Sequence, residues 1–330
     1  MASRLDAPVF GAPSDYHGPD KWEVTFSWRY QKSDKHFVGH EYQEERTTEQ
    51  SAVVNTINQA EVTATRKYAH GWRVGIGIPY LMAERSSPIR DANGDVIDRY
   101  VTQARGMGDV VVGVKKWIWD PATPTKGNIA LGIGVKIPIG ENNVVDTRKR
   151  IDTTTGAVTL TEQTVDQSIQ PGDGGFGLVF DVQMYRRFAS DRFSAFGTAT
   201  YLANPEGVSG VQTYRSAPGE EVMSIADQYL VRAGIGWYPG AGWGLSLGGR
   251  AEGVPVYDVW GTNDGFRRPG YAISVEPGVT WTHGAHTVAL LVPIAWDRAR
   301  LKSVSDRENG THGDAAFADY VILAGYARRF

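Results

Sequence analysis

The chain has 330 residues, a formal net charge of -3 and a mean hydropathy of -0.32, values that exclude a protein built from long apolar membrane helices. Cysteine is absent, which excludes disulfides and cysteine-ligated metal sites, and the weak negative charge gives no reason to expect nucleic-acid binding. No linker rich in Pro, Gly and Ser divides the chain, so the composition favours one large domain.

An alternating pattern begins near the start of the chain and predicts the first strand. Apolar residues occupy every second position, at Trp22, Val24, Phe26, Trp28 and Tyr30, and polar or charged residues lie between them. Strict alternation with period two indicates a strand that has one apolar face and one polar face.

The same pattern recurs eleven more times along the chain. The further strands are predicted at 59–68, 72–82, 108–119, 128–139, 175–187, 193–202, 226–238, 243–254, 271–282, 287–297 and 316–330. Short turns alternate with long polar loops, the latter including 83–107, 140–174, 203–225, 255–270 and 298–315. This alternation predicts an all-β fold, a transmembrane up-and-down antiparallel β-barrel of about 12 strands, with long extracellular loops and short periplasmic turns. Closure of the barrel leaves no strand edge exposed to lipid.

The residues at the strand ends support a membrane barrel. Aromatic residues cluster there on the apolar face, as at Trp72, Tyr80 and Trp243, and such rings favour the membrane interface. Basic residues that interrupt the apolar face, such as Arg66 and Arg328, lie near predicted periplasmic ends, where long side chains reach the headgroups. The alternative is a soluble all-β protein whose apolar face packs on a second sheet. It explains the apolar rows but not the aromatic belts, the loop alternation or the charged opposite face.

The predicted domains are a single barrel over residues 21–330 and an N-terminal segment, 1–20. That segment is polar and rich in Pro, Gly and Asp, and we expect it either to plug the periplasmic mouth or to be disordered. The start of the chain lacks the apolar stretch of a signal peptide, so either the signal peptide has been removed or the protein is not secreted. The barrel pattern favours the first explanation and therefore a location in the outer membrane of a Gram-negative cell, with lipid as a partner.

The polar faces of the strands are predicted to line the lumen. The candidates carry both signs of charge and are Glu23, Arg29, Glu61, Lys67, Arg73, Asp109, Lys115, Lys136, Asp181, Arg232, Arg250, Glu252, Glu276, Asp297 and Asp319. Eight strands enclose only side chains, whereas about sixteen leave an aqueous channel, so twelve strands allow two arrangements. The lumen is either a narrow channel or is closed by ion pairs across the barrel. Each charge then either contacts a solute or pairs with a neighbouring strand.

Patterns for other chemistry are weak. No histidine lies on a predicted strand beside a serine and an acid, so we expect no catalytic residues and no enzyme activity. The pair His36 and His40 has helical metal-ligand spacing but lies in a predicted loop. Residues 91–95 resemble the start of a calcium loop, but Thr102 stands at its twelfth position, and Asn93-Gly94 more simply predicts a hairpin turn. We therefore predict no metal and no cofactor.

One pair of segments resembles a known family. A G-x-G-D strand, Gly106-Met107-Gly108-Asp109, leads after one turn into a G-x-K-x-P-x-G strand end, Gly134-Val135-Lys136-Ile137-Pro138-Ile139-Gly140. This pairing resembles the outer-membrane proteins grouped with the meta-pathway of phenol degradation, over residues 106–140. The resemblance implies a barrel that moves hydrophobic or aromatic compounds. Separately, the C-terminal Phe330, with Tyr326 and Ile322 on the same face, resembles the terminal strand that the barrel-assembly machinery reads. This resemblance makes that machinery a predicted partner.

The predicted function is an outer-membrane channel or transporter, a porin-like protein for small solutes, hydrophobic or aromatic ones included. Selectivity would then come from pore radius, lumen charges and loop closure. In the loop 255–270, Tyr257, Trp260 and Phe266 beside Arg267 either receive an aromatic solute or simply pack the loop. The alternative function is a closed structural or surface-interaction barrel without transport, with the loop 140–174 as its binding surface.

Overall fold

The computed structural model describes residues 21–121, 126–188 and 191–330, so the predicted N-terminal segment 1–20 lies outside the described residues. The strands, in chain order, are β1 (Trp22–Val38), β2 (Glu41–Tyr42), β3 (Val54–Lys67), β4 (Trp72–Arg90), β5 (Val96–Met107), β6 (Val110–Trp117), β7 (Gly127–Ile137), β8 (Val145–Ile151), β9 (Val158–Thr164), β10 (Gly177–Phe188), β11 (Phe193–Ala203), β12 (Val208–Gln212), β13 (Val222–Ser224), β14 (Gln228–Gly240), β15 (Trp243–Val254), β16 (Gly270–His283), β17 (His286–Leu291), β18 (Ile294–Arg300) and β19 (Ala315–Arg329). Two short helices, α1 (Glu45–Thr48) and α2 (Val304–Glu308), lie in loops. No helix in these ranges is long and apolar enough to cross a membrane.

The strands form a closed antiparallel barrel with twelve positions. Ten positions are single strands, and β19 hydrogen-bonds to β1 to close the ring. Two positions are interrupted: β5 and β6 both pair with β4, and β17 and β18 both pair with β16 and β19. The predicted all-β, up-and-down barrel of about 12 strands is therefore confirmed.

The strand β4 shows why these sequences form a barrel wall. Its outward residues, such as Trp72, Ile76 and Tyr80, are exposed, whereas Arg73 and Gly75 point inward. Similar outward apolar rows run along the other wall strands and join into one belt. Soluble proteins rarely expose an apolar patch above a few hundred Å2, so an outer surface of this kind suits lipid rather than water.

The strands extend further on the loop side than their apolar pattern indicates. Residues 83–107 were expected to be a loop, but β4 continues to Arg90 and pairs with β5 as a hairpin above the belt. Both faces of this hairpin mix polar and apolar residues, which is why the period-two apolar signal is missing there. At its tip, Asp91 accepts hydrogen bonds from the backbone N–H groups of Asn93 and Asp95, both at 2.9 Å, which closes a tight turn.

The longest loop, 140–174, does not stay outside the barrel. It first forms the hairpin of β8 and β9. Its next residues, which we call the inward loop segment, enter the lumen. There Val165 and Ile169 pack in a buried cluster with Leu81, Ala83 and Ala104 of the wall. The contents of the lumen are therefore set by this inward segment as well as by the wall.

Candidate functional site in the barrel lumen

A cavity of about 410 Å3 lies in the half of the lumen nearer the short turns; we call it the inner cavity. Three glycines stand side by side on its wall, with Gly75 opposite Gly113 and Gly113 opposite Gly134. A Cβ built at Gly134 would lie 2.9 Å from the carbonyl oxygen of Val112, so a side chain at this position would force the backbone to shift. The space exists because the inward row has no side chains there.

The charged groups on the inner cavity are held along the wall. The predicted lumen candidates that line it are Glu23, Glu61, Arg73, Asp109, Lys115, Lys136 and Asp181. Lys115 pairs with Asp181 at 2.5 Å, and Lys67 pairs with Glu23 at 3.1 Å. Between these charged groups, the lining includes apolar side chains such as Val111, Val179 and Leu202. The inner cavity therefore offers apolar surface between paired charges.

The opposite side of the lumen is filled by a network of buried ion pairs. Arg29 of β1 reaches across to Glu252 of β15 at 3.1 Å, and Glu252 also accepts from Arg250 at 2.7 Å. Glu276 accepts from Arg250 at 3.4 Å and from Arg232 Nε at 2.8 Å. These side chains are at most 7% exposed, and burial of charge at this depth requires such pairing. The predicted cross-barrel pairing thus occupies one side of the lumen while the inner cavity occupies the other.

Asp109 lies between β5 and β6, the two strands that share one interrupted position of the barrel, and it joins this point to the two ends of the loop 140–174. Its carboxylate accepts hydrogen bonds from the backbone N–H groups of Gly140 at 3.1 Å and of Asp173 at 2.9 Å. Lys136 Nζ in turn donates to both carboxylate oxygens of Asp173 at 2.5 Å. A Cβ at Gly140 would lie 2.5 Å from the backbone of Gly108, so the close approach needs glycine. The two segments of the family resemblance therefore anchor the inward loop segment, a role that the motif by itself did not predict.

A second cavity, of about 260 Å3, lies toward the long loops; we call it the outer cavity. Six arginines line it: Arg29, Arg46, Arg85, Arg215, Arg267 and Arg268. Both cavities are lined by Gln59, Leu81, Asp173 and Gln228, so they meet at the level of the inward loop segment. Together they extend along the lumen from the loop side to the turn side.

Asp166, on the inward segment, organises the arginines of the outer cavity. Arg268 donates to both of its carboxylate oxygens at 2.8 Å, Arg85 lies at 3.4 Å, and the hydroxyl of Tyr214 donates at 2.7 Å. Burial by itself would raise the pKa of Asp166, but the charges of Arg268 and Arg85 outweigh it and hold the pKa well below its usual range. No local pattern in the sequence singles out Asp166.

Two predicted lumen residues lie elsewhere because β-bulges reverse the alternation. Asp297 faces Ile273 after a register shift and bonds to His40 and Tyr271 instead of lining a cavity. Asp319 lies where β19 gains an extra residue opposite β1, is exposed, and accepts from Arg298 at 2.7 Å. A bulge inserts one unpaired residue, so every residue beyond it changes face relative to a regular strand.

The loop residues proposed to contact a solute also lie apart from one another. Tyr257 is exposed beneath the guanidinium of Arg307, and Trp260 is exposed against Phe180. Phe266 is buried between two arginine side chains, those of Arg215 and Arg268. Arg267 alone of the four predicted residues lines the outer cavity, and it donates to both oxygens of Asp258 at 2.9 and 2.7 Å.

The C-terminal residue belongs to the barrel seam. The N–H of Phe330 donates to the carbonyl of Trp22 at 2.9 Å, and its exposed ring lies 4.7 Å from the guanidinium of Arg328. The last strand is therefore paired up to its final residue.

Comparison with known proteins identifies the class of this fold as that of outer-membrane β-barrels. No protein-family model matches the chain, and no curated protein matches it. Among solved structures, the COG4313 outer membrane channel from Pseudomonas putida F1 is similar, with a TM-score of 0.59 at 10% identity, over 96% of this chain and 99% of that chain. The β domain of the Bordetella autotransporter Brka has a TM-score of 0.49 at 15% identity, over 94% of this chain and 100% of that chain. The toluene transporter TodX of P. putida has a TM-score of 0.45 at 9% identity, over 95% of this chain and 91% of that chain. The first of these confirms the predicted type of fold.

Proposed function

We propose that this chain is an outer-membrane channel for small hydrophobic solutes, aromatic ones included. The observation that carries the proposal is the pair of cavities that meet at Gln59, Leu81, Asp173 and Gln228 inside a barrel with an apolar exterior. The likeness in fold to an outer membrane channel supports it, as does the resemblance of residues 106–140 to proteins linked with phenol degradation. The function requires no chemical step, so no catalytic residue is needed.

The proposed partners follow from the two faces of the wall. The exposed apolar belt, ending in rings such as Trp22, Trp243 and Trp281, suits outer-membrane lipid with the rings at the interface. The paired terminal strand that ends at Phe330 is the segment we propose for recognition by the barrel-assembly machinery.

The preference for hydrophobic solutes rests on the inner cavity. Its apolar side chains, including Val111, Val179 and Leu202, lie between charges that pair with neighbours on the wall. Pore radius and lining polarity set the selectivity of such a channel. A small apolar solute gains contact there without having to separate an ion pair.

Uptake of naphthalene by a porin-deficient Gram-negative host that expresses the chain tests the proposal. In the variant Gly77→Phe, the ring enters the inner cavity; a Cβ at Gly77 meets the side chains of Glu61 and Thr63 at 3.5 Å, an ordinary contact. The matched control Ile78→Phe, one residue along the same strand, points to lipid. We expect Gly77→Phe to lower the initial uptake rate about tenfold or more, because the added ring narrows the part of the lumen that a solute must cross. Ile78→Phe should leave uptake unchanged.

Equal uptake by the two variants, both shown to be folded in the outer membrane, would contradict the proposal. Conductance of the purified chain in planar bilayers, recorded with and without residues 1–20, then separates the rivals. Current in either form indicates an open lumen, and current only without residues 1–20 assigns a plug role to that segment. Silence in both forms favours the closed surface barrel.

A further inference from the structure

The outer cavity is strongly basic, whereas the inner cavity is not. Six arginines and two aspartates, Asp173 and Asp314, line the outer cavity. Both aspartates already bind cations, Asp173 to Lys136 and Asp314 to Arg46. The inner cavity is lined instead by five carboxylates and three cationic side chains. The excess of positive charge is therefore confined to the end of the lumen that a solute meets first.

The carboxylates that balance most of these arginines stand behind them. Asp166, Glu220 and Asp258 bind Arg268, Arg215 and Arg267 respectively, yet none of the three carboxylates lines the outer cavity. A guanidinium carries five N–H donors, more than one carboxylate can accept. Arg215 Nε, although buried, has no hydrogen-bond partner among the residues the structure describes. The outer cavity is therefore lined by the guanidinium groups and not by these three carboxylates.

The chain itself shows that this cluster binds a carboxylate well. Asp166 receives the fork of Arg268 and further donors from Arg85 and Tyr214. Planar two-point contacts of this kind are the strongest that arginine makes with carboxylates. The accessible arginines of the same cavity, Arg46 and Arg215, have side chains that are 33% and 29% exposed. They are the first guanidinium groups that an incoming anion would meet.

We propose that the outer cavity binds the carboxylate of an amphiphilic solute, a small aromatic or aliphatic carboxylate, through Arg215 and Arg46. The proposal rests on the proposed channel function and names the solute class at its entrance. The hydrocarbon part then lies toward Leu81, which lines both cavities, and toward the apolar surface of the inner cavity. The basic entrance concentrates the anion, and the apolar surface holds its ring or chain.

Binding of benzoate and of its neutral analogue benzyl alcohol to the detergent-folded full chain, measured by titration calorimetry, tests the inference. We expect the unmodified chain to bind benzoate at least about tenfold more tightly than benzyl alcohol, since a hydrogen bond to a charged group contributes roughly that factor. Arg215→Gln should weaken benzoate binding about tenfold and leave benzyl alcohol unchanged. Raised ionic strength should weaken benzoate binding alone.

The matched control is Arg150→Gln, which changes an exposed arginine of β8 that lines neither cavity and should leave both affinities unaltered. Arg46→Gln, in the short helix α1, repeats the test if Arg215→Gln does not fold. Equal affinity for benzoate and benzyl alcohol overturns the carboxylate site, as does an equal loss in Arg215→Gln and Arg150→Gln. The naphthalene uptake test does not depend on these arginines, so its failure would be recognised separately as failure of the channel function.

Discussion

The two sides of the lumen use glycine in opposite ways. On the wall of β4, β6 and β7, Gly75, Gly113 and Gly134 adjoin one another and leave the inner cavity open. On the wall of β14 and β15, Gly234 and Gly248 are also opposite each other, but the ring of Phe196 and long charged side chains fill the space above. The comparison shows that twelve strands do not determine whether the lumen is open. The length of the side chains at inward positions, and their pairing, determine it.

The largest loss of stability is expected in the network of buried ion pairs that fills one side of the lumen. Glu276→Gln removes the carboxylate that Arg232 and Arg250 share, which leaves two buried guanidinium groups without that charge. Breaking a buried ion pair from one side costs about 3–5 kcal/mol, so the free energy of unfolding should fall by that amount. Urea-dependent unfolding in detergent measures it. Glu162→Gln, on the exposed strand β9, is the control, and an equal small change in both variants would show that the network does not stabilise the barrel.

A smaller loss of stability is expected at Asp109, which holds the inward loop segment against the wall of the inner cavity. Asp109→Ala leaves the N–H groups of Gly140 and Asp173 without their acceptor, at a cost of about 1–3 kcal/mol for each buried group. The matched control is Asp152→Ala, because Asp152 also accepts from two backbone N–H groups, those of Thr154 and Thr155, but in an exposed turn. Unfolding in urea and limited proteolysis within 165–175 compare the two. Equal stability of both variants would remove the anchor role of Asp109.

Glycine positions that line the inner cavity should differ in how much a substitution by alanine lowers the stability of the fold. Gly134→Ala places a methyl group against the backbone of Val112 and should cost about 1–3 kcal/mol, since a backbone atom cannot move aside. Gly77→Ala meets only side chains at 3.5 Å and should be nearly neutral. Urea unfolding of the two variants, measured side by side, compares these losses of stability. A larger loss in Gly77→Ala than in Gly134→Ala would show that the backbone contact at Gly134 does not limit the size of its side chain.

The smallest effect concerns the outer loops in acid. Burial alone would raise the pKa of Asp314, but the hydrogen bond and charge of His36, with Arg46, lower it to about 2. A depressed pKa means that this carboxylate stabilises the fold above its unfolded value of about 3.9, and that the contribution is lost as the pH falls toward about 2. Amide exchange across residues 301–314, corrected for its intrinsic rate, should therefore accelerate in that range. The same change in Asp314→Asn would assign the effect to another group.

Several features could be predicted because they are local. Each wall strand carries its own alternation, as in β4, and the alternation of loops and turns follows directly along the chain. The hairpin above the belt could not be predicted, because β5 and the end of β4 mix polar and apolar residues on both faces. The bulges at Asp297 and Asp319 also escaped prediction, because register depends on the partner strand and a slip by one residue reverses the face.

The sequence by itself determined the closed barrel, the apolar exterior and the positions where no inward side chain exists, because each depends on a residue and its near neighbours. Only the tertiary structure decided which charges fill the lumen and which loop returns into it. Arg29 and Glu252 are separated by 223 residues and Asp166 and Arg268 by 102, yet each pair is in direct contact. Closure of the ring brings such residues together, and the cost of burying an unpaired charge then selects the pairing.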